Sequence, residues 1–171
     1  MAKDVAFEDW LATLPVQVRS DPLWNSAYYR LAMYIYDLAW HDCDLLMKDP
    51  RGREVSRQLI RSIGSVSANF EEAYGRGIES ADALRILRIA LGEAREARGW
   101  YLRVKLLLSQ DCLNKRLDLL SDLIGMLVNI ILIAVDHRIS KRINTGKMRN
   151  PYPATCILHK LIWRNHNVTE C

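Results

Sequence analysis

Four long stretches of this chain repeat apolar residues every three or four positions, and only short breaker clusters separate them. That period belongs to an amphipathic helix; a half-buried strand would alternate with a period of two. The first stretch opens at Asp21-Pro22, a helix cap followed by a proline whose missing N–H costs nothing at the first helical position. Leu23, Ala27, Leu31, Ile35, Leu38 and Leu45 or Leu46 form its face, widened by Trp24, Tyr28, Tyr29, Tyr34, Tyr36 and Trp40. It ends at the breaker cluster Asp49-Pro50-Arg51-Gly52.

The second helix is predicted over 53–74, with Val55, Leu59, Ile63, Val66, Phe70 and Ala73 in phase. Ser62, Gly64, Ser65, Ser67 and Ala68 make it rich in small residues, so a tight helix crossing is expected there. The third starts near Ser80 and carries Leu84, Leu87, Leu91, Ala94, Tyr101 and Leu108. Gly92 and Gly99 cost it about 1 kcal/mol each relative to alanine, and close packing against another element is the expected compensation. The fourth spans 111–142 through Leu113, Leu117, Leu120, Ile124, Leu127, Ile131 and Ala134, and is apolar over more than half its circumference.

The expected fold is all-α: an antiparallel up-down-up-down four-helix bundle over 21–143. Residues 1–20 form a short amphipathic lead built on Phe7, Trp10, Leu11 and Leu14, and 144–171 a basic tail. Leu31, Leu59, Ile63, Leu87, Leu91, Leu120, Ile124 and Leu127 are the predicted core. A chain that is 50% hydrophobic and 26% charged excludes disorder. The apolar surplus on the first and fourth helices predicts burial between subunits, hence a homo-oligomer.

The net charge of +4 is unevenly spread. Residues 138–171 hold seven basic groups against Glu170 alone, so this end is strongly cationic. Arginine outnumbers lysine 17 to 7, favouring forked contacts to phosphate or carboxylate. No secretory segment opens the sequence, and the most apolar run, 124–135, falls short of the roughly 20 residues a spanning helix needs. With four widely spaced cysteines, the reading is a reduced, cytoplasmic protein without a membrane segment.

The richest segment runs from Gln58 to Arg76. Arg61, Ser65, Asn69, Glu72 and Arg76 step along one helical stripe, and Glu72 to Arg76 has the favourable ion-pair direction. Two readings stand: an intrahelical polar ladder that fixes register, or a surface for nucleic acid or another partner. The segment resembles the signature of the bacterial four-helix-bundle proteins of 23S rRNA intervening sequences, once called S23 ribosomal proteins. Those are related to the accessory variability determinant of diversity-generating retroelements. That pattern is Gln, an Arg, then Ser-Ile-Pro-x-Asn-Ile-x-Glu-Gly-x-Gly-Arg. Gln58, Arg61, Ser65, Val66, Asn69, Phe70, Glu72, Gly75 and Arg76 fall in step with it, and Leu87 to Glu96 is similar to a second block. Ser67 stands where the family has proline and Ala73 where it has glycine. The resemblance covers about residues 22–142. It implies a ring, often a pentamer, that binds RNA or DNA and, in retroelements, partners a reverse transcriptase.

The candidate nucleic-acid-binding residues form two rows and a tail. Arg53, Arg57 and Arg61 lie along the second helix, with Arg57 and Arg61 four apart and no acid between them on that face. Arg85, Arg88, Arg95, Arg98 and Arg103 lie on the third; Lys141, Arg142, Lys147 and Arg149 follow the fourth. Rows of one sign invite a polyanion. A solvated face pairing with Glu93 and Glu96 is the competing reading, and with it a structural or protein-interaction scaffold with no nucleic-acid role. No base-reading motif is present.

Catalysis is not expected. No His follows an Arg by four to six residues, and Glu-x-x-His pairs, Gly-rich phosphate loops and Cys-x-x-Cys are missing. Cys156, His159, His166 and Cys171 hold metal-ligand types at loose spacing and are read as unconnected tail residues, so neither metal nor cofactor is expected.

Overall fold

The structure, a computed structural model, describes residues 5–145, excepting the side chains of 142–144. The elements are α1 (Phe7–Thr13), α2 (Val16–Arg19), a single 3-10 turn (Pro22–Asn25), α3 (Ala27–Leu46), α4 (Pro50–Gly75), α5 (Ala81–Arg103) and α6 (Gln110–Asn144). Among the described residues there is no strand, and the fold class is all-α. The chain divides into two units, Met1–Val135 and Asp136–Cys171. The first holds the core; of the second, only the last turns of α6 and Thr145 fall among the described residues.

Two helix starts differ from the expected ones. Asp21 does cap, accepting from the Leu23 N–H at 2.7 Å, but it caps the 3-10 turn. Ser26 is then extended, and α3 begins at Ala27. The break lets Leu23 and Trp24 both turn inward, with Trp24 edge-on to Tyr29 at 5.9 Å. The second difference is Asp49-Pro50-Arg51-Gly52, which is not a breaker. It is the cap and first turn of α4: Asp49 Oδ1 accepts from the Arg51 N–H at 2.8 Å and Pro50 sits at the first helical position.

Ser80 caps α5 as expected, its hydroxyl accepting from the Ala83 N–H at 3.0 Å. The reversal between α4 and α5 passes through Gly77, whose φ of 78° is in the left-handed region that glycine tolerates.

The lead segment docks on α3. The Trp10 indole is buried and donates to Asp37 Oδ2 at 2.7 Å, while Phe7 meets the Tyr34 ring edge-on at 5.2 Å. Behind it, α4 packs along both α3 and α5. Of the predicted core, seven leucines and isoleucines are buried; Leu91 is only half-buried, because Ala90 and Ala94 take the centre of that helix face. Trp40, expected on the apolar face of α3, is 56% exposed.

The glycines sort into two kinds. At Gly64 a Cβ would stand 3.2 Å from the Tyr36 ring, the expected tight crossing of α3 and α4. At Gly52 a Cβ would collide with the Leu46 carbonyl oxygen and come within 2.9 Å of Leu107 Cδ1. Gly92, by contrast, has nothing within 4 Å, and Gly99 meets only the Arg103 side chain. Among the described residues, the close packing expected to compensate these two is absent. Gly52→Ala should destabilise by about 1 to 3 kcal/mol through forced backbone shifts, whereas Gly92→Ala should stabilise the subunit by about 1 kcal/mol. Urea unfolding of both variants reads the contrast, and equal effects would contradict these environments.

Candidate nucleic-acid interface

The arginine rows fold into different surroundings. On α4, Arg53 is exposed with no ion pair among the described residues. Arg57 reaches back to Glu54 at 3.0 Å, both side chains largely in water. Arg61 is held across the helix pair: it contacts Glu93 of α5 at 3.4 Å, forms a closer ion pair with Glu96, and takes Gln58 Oε1 at 3.3 Å. Arg57 and Arg61 thus each have their own acid, correcting the like-charge row expected from spacing on α4 alone; the acids for Arg61 come from a helix that spacing cannot see.

Glu96 is the hub of that cluster. Its carboxyl is held below the usual carboxylate range, first by the Trp100 indole N–H at 3.0 Å and then by Arg61. The rest of the motif is a ladder. Asn69 Nδ2 donates to the Ser65 carbonyl at 2.6 Å, and Arg76 joins Glu72 at 2.6 Å and also Asp82. Gly75, exposed, closes α4. Helix α4 runs unbroken through Ser67 and Ala73, the two positions where proline and glycine were missing; Ser67 Oγ donates to the Gly64 carbonyl at 3.1 Å.

On α5, Arg85 is exposed and pairs with Asp82 at 3.1 Å. Arg88 and Arg95 are exposed and without an ion pair among the described residues. Arg103 lies over the Trp100 ring at 4.7 Å, and half-buried Arg98 donates to Ser121 Oγ of α6 at 3.4 Å. Arg85, Arg88, Arg95 and Arg103 therefore share the water-facing side of one helix, with Arg98 apart. Lys141, exposed, is at the end of α6 in the second unit. The Arg142 side chain, Lys147, Arg149 and the tail set Cys156, His159, His166 and Cys171 lie outside the described residues.

Sequence reasoning missed a buried polar cluster. Arg116 of α6 is 1% exposed and grips buried Asp42 of α3, Nε to Oδ2 at 2.7 Å and Nη2 to Oδ1 at 3.1 Å. The Tyr101 hydroxyl donates to Oδ2 at 2.7 Å and the Cys112 thiol to Oδ1 at 3.6 Å. Asp42 is thereby fully engaged, as a buried carboxylate must be. A signal existed: Arg116 falls in phase with Leu113, Leu120, Leu123 and Leu127, and Asp42 with Leu38 and Leu46. A charge inside an apolar stripe needs an opposite charge on a facing one.

Two phenols titrate above their ordinary range. Burial raises Tyr101 well above 10.0, the Asp42 charge adding to it, and burial with the Glu71 hydrogen bond raises Tyr29. A raised phenol keeps its proton in the native state after the unfolded chain has lost it. Their stabilisation is therefore complete below about pH 10 and lost as pH climbs beyond it. Denaturation midpoints should fall above that pH, and Tyr29→Phe should flatten the fall.

Among the described residues no group of three or more His, Cys, Asp or Glu side chains is placed to hold a metal ion. Helix α6 is, over Gln110–Lys141, long and apolar enough by length and composition to cross a membrane, although no single uninterrupted run in it is; 28% of its most apolar window is buried. No protein-family model, curated protein or solved structure matches the chain.

Proposed function

We propose that this chain is a non-catalytic, self-associating nucleic-acid-binding protein of the 23S rRNA intervening-sequence type, cytoplasmic and without a membrane segment. Its helices α3 to α6 form an antiparallel up-down-up-down bundle, and its partners are RNA or DNA and a closed ring of its own copies, five on the family resemblance. In an element-encoded setting it serves as accessory to a reverse transcriptase, with no metal or cofactor.

The connections at 47–49, 76–80 and 104–109 support the bundle, since loops this short join antiparallel neighbours. The non-catalytic reading is supported by the polar cluster at Asp42, whose groups are buried and mutually satisfied. The observation that carries polyanion binding is the exposed side of α5, where Arg88 and Arg95 have no ion pair among the described residues. Arginines without an acid release counterions from a phosphate backbone at little cost in broken ion pairs.

The test is an anisotropy titration at 50 mM salt with duplex DNA, structured RNA and single strands. Micromolar or tighter binding is expected. Arg85→Ala/Arg88→Ala/Arg95→Ala should weaken it and lower the salt slope by roughly one counterion for each phosphate left unneutralised. Removing 144–171, which lies outside the described residues but for its first two, should lower it further. No binding at 50 mM salt would leave a scaffold.

One observation favours that second reading. Ile89 and Leu102 are exposed among the α5 arginines, 42% and 49%. A surface serving phosphate alone has no use for them, whereas an interface core with charged rims does.

A further inference from the structure

Gly92 lies on the water-facing side of α5, and a Cβ added there would have nothing within 4 Å. A glycine inside a helix costs stability relative to alanine, and among the described residues nothing uses the space it leaves. The positions bordering it on the helix surface, three, four and seven residues away, are Arg85, Arg88, Ile89, Arg95, Glu96 and Gly99. Arg88 and Arg95 flank it, one turn before and one turn after, exposed and without an ion pair among the described residues. The bordering acid is drawn away: Glu96 is held by Arg61 and by the Trp100 indole, and neighbouring Glu93 contacts Arg61 as well. Gly99 offers no second bare stretch, since Arg103 Nη1 stands 2.8 Å from where its Cβ would be.

We infer that Gly92 is the floor of a phosphate seat, where one phosphodiester group of a nucleic-acid strand rests on the bare α5 backbone between Arg88 and Arg95. The assignment rests on the nucleic-acid binding proposed above and names its point of closest approach. Glycine is the residue that lets a backbone come close to a ligand. Arg88 and Arg95 leave the helix about 10 Å apart along its axis, with Gly92 between them. With no side chain in the way, their two guanidinium forks converge from either side on the oxygens of one group. No aromatic ring to stack a base and no amide to read one stands among the six bordering positions. The backbone phosphate is the ligand these residues fit.

Gly125 of α6 is the internal comparison. It too is mid-helix and exposed, with nothing within 4 Å of where a Cβ would be. Asp118, Ser121, Asp122, Val128, Asn129 and Leu132 border it, and none of them is a cation. An open glycine alone therefore does not make a seat; the pair of unengaged arginines does.

The test replaces each glycine by leucine, a good helix former that adds bulk and leaves every charge in place. In the anisotropy titration of the full chain at 50 mM salt, Gly92→Leu should weaken binding about tenfold and lower the salt slope by roughly one counterion. Arg88→Ala/Arg95→Ala should do the same, and adding Gly92→Leu to it should cost nothing more, because all three changes empty one seat. Gly125→Leu should keep wild-type affinity. Urea midpoints of both leucine variants should stay at or above wild type, and light scattering should give the wild-type mass. Wild-type affinity in Gly92→Leu, or an equal loss in Gly125→Leu, overturns the seat while nucleic-acid binding stands. A changed mass in Gly92→Leu assigns the bare backbone to contact between copies and overturns it as well. No binding by the wild type overturns both the seat and the binding it rests on. Should Gly92→Leu lose its helical circular dichroism, Gly92→Ala carries the test. Its affinity should fall although the subunit is more stable, and unchanged affinity overturns the proposal.

Discussion

Arg116→Ala is expected to destabilise the subunit by about 3 to 5 kcal/mol, because it strands the Asp42 carboxylate in the core. The guanidinium supplies two of the hydrogen bonds that keep Asp42 satisfied, and Tyr101 with Cys112 supplies the others. Arg116→Lys should recover little, since one ammonium does not reproduce the two-pronged grip on both oxygens. Replacing the charges and the phenol together, as in Asp42→Leu/Tyr101→Phe/Arg116→Met, should recover most of the loss, because hydrophobic substitutes avoid desolvating an ion pair and leave no buried hydroxyl without an acceptor. Urea unfolding followed by tryptophan fluorescence, at one fixed protein concentration because association shifts apparent stability, measures all three. A loss under about 1 kcal/mol for Arg116→Ala, the range of a solvated ion pair, would mean that water reaches Asp42.

Phe70→Ala should cost about 3 to 5 kcal/mol, from lost transfer energy and the cavity left behind. The ring is 1% exposed in the middle of the core and lies 4.8 Å from Tyr28 at a tilt of 44°. Tyr74, four residues on, is exposed, and Tyr74→Ala should stay within about 0.5 kcal/mol of wild type. The contrast tests the phase of α4, since a rotation that exposed Phe70 would erase it. Far-ultraviolet circular dichroism should show both variants helical at low temperature.

The candidate site was legible to the depth of one helix at a time. Spacing along α4 gives the Glu72–Arg76 pair and the Asn69 step, because neighbours three and four apart lie on one face whatever surrounds them. It gives Arg57 and Arg61 as a like-charge pair, which is wrong: Glu54 answers one and α5 answers the other. The α5 arginines read as a row and remain one on the exposed face, where no other element intervenes. The glycines misled, since Gly92 was expected to pack closely against another element and among the described residues nothing meets it.

What the sequence determined by itself is the all-helical class, the phase of each apolar face and the caps at Asp21 and Ser80. Helical period and capping are local, set by residues within a turn of one another. The tertiary structure decided what each face meets. It turned Asp49-Pro50 from an ending into a beginning, because Gly52 lets the Leu46 carbonyl approach α4 directly. It moved Leu91 to the rim behind two alanines, and drew Asp42 and Arg116, 74 residues apart, into one buried pair. Such a pairing depends on how helices are rotated and stacked against each other. Their summed packing energy fixes that arrangement, and no window of sequence contains it.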